Sequence, residues 1–146
     1  MAVNTLFPRV ERAYTGSRWS FYFLVLLTVA STGRSLVHLF AADGGSHSIA
    51  GIDIALAGGV NIVALFAQWG ASQLVLALMQ WLVVLRYRFL VPAMLLVVVI
   101  EQVLRITAGH LKPLHIAAPP PGSYGTYMTL ALALVFLVLS LRPERR

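Results

Sequence analysis

The chain has 146 residues, of which 59% are hydrophobic and only 11% charged, far from the roughly one-quarter charged of a soluble domain, so a single membrane-embedded domain is expected. The formal charge of +6 does not mark nucleic-acid binding: eight of the eleven basic residues (Arg9, Arg12, Arg18, Arg86, Arg88, Arg142, Arg145 and Arg146) sit at the chain ends or in a middle turn, not on a basic face interleaved with aromatics. The sequence has no cysteine, which excludes disulfides, thiolate catalysis, thiolate metal sites and thioether-linked haem.

Residues 1–18 carry an apolar stripe of Leu6, Phe7, Val10, Ala13 and Tyr14. The spacing fits a short amphipathic helix on lipid headgroups, or equally a frayed tail. The first span is expected over 19–40. Its stretch before Arg34 has the length of a signal-peptide core, but no convincing small-x-small cleavage site follows, so it reads as a retained span.

Residues 41–48 are a loop by composition. From Ile49 to Leu85 only Asp53 is charged, a stretch of 37 residues, or roughly 55 Å as one helix. A bilayer core of about 30 Å is too thin for that. The Gly58-Gly59 pair offers the break. Residues 49–58 then form a short interfacial or re-entrant helix, and 61–85 the second span. Gly51, Ala55 and Gly59 make a small-residue stripe suited to close helix approach.

Arg86-Tyr87-Arg88 is a tight basic turn. The third span is expected over 89–108, with Pro92 tolerated in its first turn. A second loop holds Pro119-Pro120-Pro121-Gly122, stiff and extended. The fourth span, over 124–141, starts at the interfacial pair Tyr124 and Tyr127 and stops before Pro143. The fold class is therefore all-α, an integral membrane four-helix bundle with a short outer helix before the second span. The basic residues at both ends and in the middle turn put the termini on the cytoplasmic side of the cell's inner membrane. No internal repeat points to an inverted-repeat transporter.

The residues able to do chemistry then collect at the opposite face. Glu101 and Arg105 are i, i+4 on one face of the third span. By helical rise they lie roughly 18 and 24 Å from the cytoplasmic boundary, and Arg34 of the first span roughly 22 Å. Gln73 reaches a similar depth. His38 shares the Arg34 face, and Asp53 is placed to cap the layer from above. Charge inside a span costs about 2.5–3.5 kcal/mol at its centre, so these groups should pair and face inward. A polar pocket able to hold an anionic or carbonyl-bearing ligand, such as a lipid headgroup or a quinone, is one reading. A structural ion pair that fixes helix register is the other, and arginines this close to the boundary also snorkel. One acid does not neutralise two arginines.

His38, His47, His110 and His115 match no compact metal motif, since there is no HExxH and His110 to His115 is i, i+5. Bis-histidine haem on His38 and His110 is weighed and not favoured. On the second span Asn61 and Gln68 share one face, and Gln73 and Gln80 another. Interhelical hydrogen bonds account for them, and the lining of a water-filled path is the sharper alternative. Trp19, Trp69 and Trp81 read as anchors or packing groups.

The Gly44-Gly45 loop before the second span, Asp53 leading into it, and Arg105 near the exit of the third span resemble the DoxX-like group of small four-span bacterial membrane proteins. The resemblance covers most of the chain through its layout. It implies a four-span fold and, as for some members, a place as a subunit of a quinone-linked oxidoreductase. The run from His110 to Gly122 has no counterpart in it, and no catalytic residue is carried over. The reading is a non-enzymatic accessory protein or lipid/quinone-binding subunit in contact with membrane lipid, assembled with itself or with a larger complex. A quinone-linked redox subunit and a small channel or transporter are the alternatives.

Overall fold

The computed structural model of the chain describes residues 7–8, 10–114 and 120–144, which are all-helical outside turns and loops. Helix α1 spans Arg18–Phe40, α2 Gly59–Leu85, α3 Val91–Leu111 and α4 Pro121–Ser140, with a 3-10 turn at Arg88–Leu90 leading into α3. All four are long and apolar enough to cross a membrane. The chain is a small multi-pass membrane protein whose helices contact lipid.

Local chemistry sets the helix ends. The Ser17 side chain accepts the Trp19 N–H and caps α1. Pro92 sits in the first turn of α3, where its missing N–H leaves no orphan. Pro120 is extended, with φ −65° and ψ 150°, and α4 begins at Pro121, ahead of the expected Tyr124. Two prolines in a row explain the shift, because the second has the φ a first helical residue needs.

The bundle is built as two pairs, α1 with α2 and α3 with α4. At Gly70 the first pair closes tightly: a Cβ there would lie 2.7 Å from the His38 Cβ. Trp81 Nε1 donates to Thr32 Oγ1 at 3.0 Å in the same interface. Thr28, Thr32 and Ser35 return their hydroxyls to carbonyls one turn back in α1, so apolar neighbours meet no orphaned donor. The apolar core is Phe23, Leu24, Val83, Val84, Val91, Leu95, Val98 and Ala133, with Phe23 stacked on Phe136 at 4.4 Å. These residues lie toward the end of the bundle that carries Arg18, Arg86, Arg88 and Arg142, the basic end.

That end is strapped shut. The Glu144 N–H donates to the Thr15 carbonyl at 2.9 Å, Tyr87 donates to the Pro8 carbonyl at 2.9 Å, and Arg86 donates to the Phe7 carbonyl. A Cβ at Gly16 would overlap the Ser140 carbonyl. The expected amphipathic helix is not found in residues 10–17, which form no helix. Their neighbours bond to other parts of the chain rather than to a helix of their own. Residues 1–6 and 9 of that stretch lie outside the described residues.

The short outer helix expected over 49–58 is also not formed. Residues 41–50 fold as consecutive turns and 51–58 run without helix into α2. The cause is local. Within the segment Gly51 and Gly58 have φ of 67° and 92°, and just before it Gly44 and Gly45 have 58° and 74°, values a right-handed helix does not hold. The Asp43 carboxylate accepts the N–H groups of Gly45, His47 and Ser48 at 2.9, 3.2 and 2.6 Å. These bonds make a hook between α1 and α2, with Ser46 and Ala50 buried in it. The stripe of Gly51, Ala55 and Gly59 is not helical either. Gly51 is exposed, and Gly59 begins α2 pressed against the Ile54 backbone.

Candidate functional site

The polar residues that helical counting placed in one layer do meet. Arg105 donates to Glu101 Oε1 through Nε at 2.9 Å and Nη2 at 2.7 Å. Gln73 Nε2 donates to the same oxygen at 3.0 Å, and Gln102 Nε2 reaches Oε2 at 3.2 Å. Arg34 donates to Gln73 Oε1. Arg34 therefore reaches the carboxylate only through an amide relay. Glu101 neutralises Arg105 directly, and among the described residues the Arg34 charge has no carboxylate of its own.

Trp69 sits against both guanidinium groups, with Arg105 Cζ 5.0 Å and Arg34 Cζ 5.7 Å from its ring centroid. Both distances are within the range of cation–π attraction. His38 packs on the same ring at 4.6 Å. The His38 Nδ1 lies 2.7 Å from the Gly44 carbonyl. A carbonyl only accepts, so Nδ1 is the donor of this bond.

Two chambers open beside this network. The larger, about 630 Å³, is lined by Arg34, His38 and Arg105 together with Phe66, Trp69, Ile106 and other mostly apolar groups from all four helices and the hook. The smaller, about 160 Å³, is lined by polar groups that include Ser31, Arg34, Gln80, Glu101, Gln102 and Thr129. Arg34 forms part of both walls. A volume of several hundred Å³ with a few polar groups on one side is the form of a small-molecule site.

Of the expected site residues, Arg34, Gln73, Glu101 and Arg105 form one network, and His38 joins its aromatic edge. Asp53 does not. It is exposed, its carboxylate accepts the Ala55 N–H at 2.9 Å, and it lines neither chamber. The failure of 49–58 to form a helix explains this, since the placement of Asp53 over the layer depended on that helix.

His110 lines the larger chamber from the last turn of α3. His47 is exposed, with Nδ1 3.0 Å from the Ile52 carbonyl. His115 lies outside the described residues. No cluster of metal-ligating side chains occurs among the described residues. On α2, Gln73 and Gln80 turn inward while Asn61 and Gln68 are exposed.

Two contributors escaped sequence reasoning. The wall that α4 presents to the smaller chamber is Gly122, Gly125, Thr126 and Thr129. The i, i+3, i+4, i+7 spacing of these small residues was the available signal. Gln102 was the other, next to Glu101 and buried.

No family model, no curated protein and no solved structure matches the chain.

Proposed function

We propose that this protein is a non-enzymatic accessory subunit of the membrane that holds one amphiphile, a lipid or a quinone, in the chambers beside Arg34. One observation carries the reading. Among the described residues Arg34 has no carboxylate partner of its own, and it forms a wall of both the larger, mostly apolar chamber and the smaller, more polar one. A guanidinium so placed attracts an anionic or carbonyl oxygen, and the apolar walls take the attached tail.

In this reading the chambers open at the non-cytoplasmic face, because the basic residues gather at the other end. The protein works with further copies of itself or within a larger membrane complex. A kinship with the DoxX-like proteins fits the same picture, on the strength of the Gly44-Gly45 hook and Arg105.

Native mass spectrometry of the detergent-purified protein, followed by solvent extraction, is the test. A stoichiometric lipid or quinone that disappears in the Arg34→Ala/Arg105→Ala double variant is the expected result. A ligand-free protein, or a ligand retained by that variant, overturns the reading. Orientation is checked separately. The chain lacks cysteine, so a single Ser48→Cys variant should be labelled from outside intact cells by an impermeant maleimide, and Arg142→Cys should not.

A second reading has its own support. His38 and His110 line the same large chamber, and a redox subunit acting on quinone would use that arrangement. A haem absorbance band in the purified protein would favour it.

A further inference from the structure

Beside the smaller chamber lie two polar atoms that the charge network leaves over. Arg34 Nε and Gln80 Oε1 are both buried without a hydrogen-bond partner among the described residues. Gln80 is only 2% exposed, and both side chains line this chamber. A buried polar group left unpaired is costly, and native structures carry few of them. One of these atoms is a donor and the other an acceptor.

The surroundings are shaped for a guest rather than for closure. Across from Gln80, α4 offers Gly122 and Gly125, where an added Cβ would meet nothing within 4 Å. Larger side chains there would have filled the space. Glu101 is already occupied by Arg105, Gln73 and Gln102, so it does not serve the two leftover atoms.

We infer that the smaller chamber is the head-group subsite of the amphiphile site, and that it selects a head bearing a hydroxyl over a head offering acceptors alone. This rests on the amphiphile-binding reading and adds the chemistry of the head. The hydroxyl hydrogen goes to Gln80 Oε1, and an oxygen of the head accepts from Arg34 Nε. A quinone carbonyl or a plain phosphodiester supplies only the second bond and leaves the Gln80 oxygen unmet. Two kinds of membrane amphiphile supply both: a quinol, and a glycerol-headed anionic phospholipid.

The test uses two pairs of probes on the delipidated, detergent-purified full chain, with binding read by native mass spectrometry. Phosphatidylglycerol is compared with phosphatidylmethanol of the same acyl chains, which has equal charge and no head hydroxyl. A short-chain ubiquinol is compared with its ubiquinone under anaerobic conditions. In whichever pair binds, the hydroxyl-bearing member should bind roughly tenfold more tightly.

Gln80→Met should bring that ratio toward one while binding persists. Gly125→Leu, which fills the chamber and leaves both polar atoms in place, should weaken both members of the pair alike. Equal binding within each pair by the unaltered protein overturns the head selection and leaves amphiphile binding standing; a chamber that holds water alone gives this result. Binding of no probe at all overturns both. The probe pair that responds tells a quinol site from a phospholipid site.

Discussion

The two halves of the bundle are built on opposite principles. Toward the basic end, Leu24, Val91, Leu95 and Ala133 have no solvent exposure and pack against one another. Toward the other end the two helix pairs stand apart around two chambers, and the hydrogen bond across the gap joins polar side chains. In a lipid solvent apolar packing gains no hydrophobic driving force between helices, so close fit and hydrogen bonding hold a bundle together. The first half relies on fit and the second on a few charged bonds. A protein needing only to be stable would have no use for the hollow half.

The largest expected effect falls on the charged bonds. Glu101→Ala removes the one carboxylate of the network and strips Arg105 of its partner beside the Arg34 charge. Stability in detergent, followed by thermal unfolding, should fall by roughly 3–5 kcal/mol. An unchanged midpoint would mean that Glu101 is not a structural partner of the arginines.

Next comes the packed half. Leu95→Ala opens a cavity in a filled core and should cost about 2–5 kcal/mol. Ile106→Ala trims a side chain that already borders the larger chamber, and should cost under about 1 kcal/mol because no new cavity is enclosed. Equal losses at the two sites would erase the contrast between the halves.

Gly125→Ala is smaller still and of opposite sign. The added methyl meets nothing within 4 Å, and replacing a mid-helix glycine favours the helix by about 0.8–1.0 kcal/mol. The unfolding midpoint should stay level or rise.

The smallest effect is confined to the hook. The backbone N–H groups of Ser48 and Gly45 hold the Asp43 carboxyl below the usual carboxylate range. The folded group thus binds its proton more weakly than the unfolded one. Its contribution is complete above about pH 3.9, the unfolded value, and is lost as pH falls through the lower folded value. The amide resonances of Gly45 and Ser48 should therefore hold their positions down to pH 4 and move only in stronger acid. Movement centred near pH 4 or above would show that these bonds do not protect the carboxylate.

Depth in the membrane was legible in the sequence because a helix converts residue number into distance at a fixed rate. That is why the sequence alone places Arg34, Gln73, Glu101 and Arg105 in one layer. The spans were legible for a similar reason, since hydropathy over a bilayer's thickness depends on local sequence alone. The conformation of 49–58 was not. Its apolar run suits a short helix, but Asp43 draws three N–H groups to itself just before it, and the positive φ of Gly51 and Gly58 turns the chain within it. Nothing in the periodicity of the run carries that. The chambers were hidden too, because which face of α4 turns inward depends on how helices rotate against one another. Gln80 shares a face with Gln73, yet only the packing shows that one amide is bonded and the other left over.

The placement of the links between the two helix pairs has a mechanical consequence. At the basic end the links between the pairs include the chain itself through the turn at Tyr87, the Ser20 hydroxyl on the Phe136 carbonyl at 2.8 Å, the Ser17 N–H on the Leu139 carbonyl, and the strap from Thr15 to Glu144. At the far end the cross-links described are the Gln73 amide on Glu101 and the Arg105 guanidinium over Trp69. The molecule is thus a pair of tongs, pivoted at one tip and clasped at the other. Separating the jaws breaks the clasp and leaves the pivot whole, so widening of the chambers is geometrically coupled to release of Glu101 from α2.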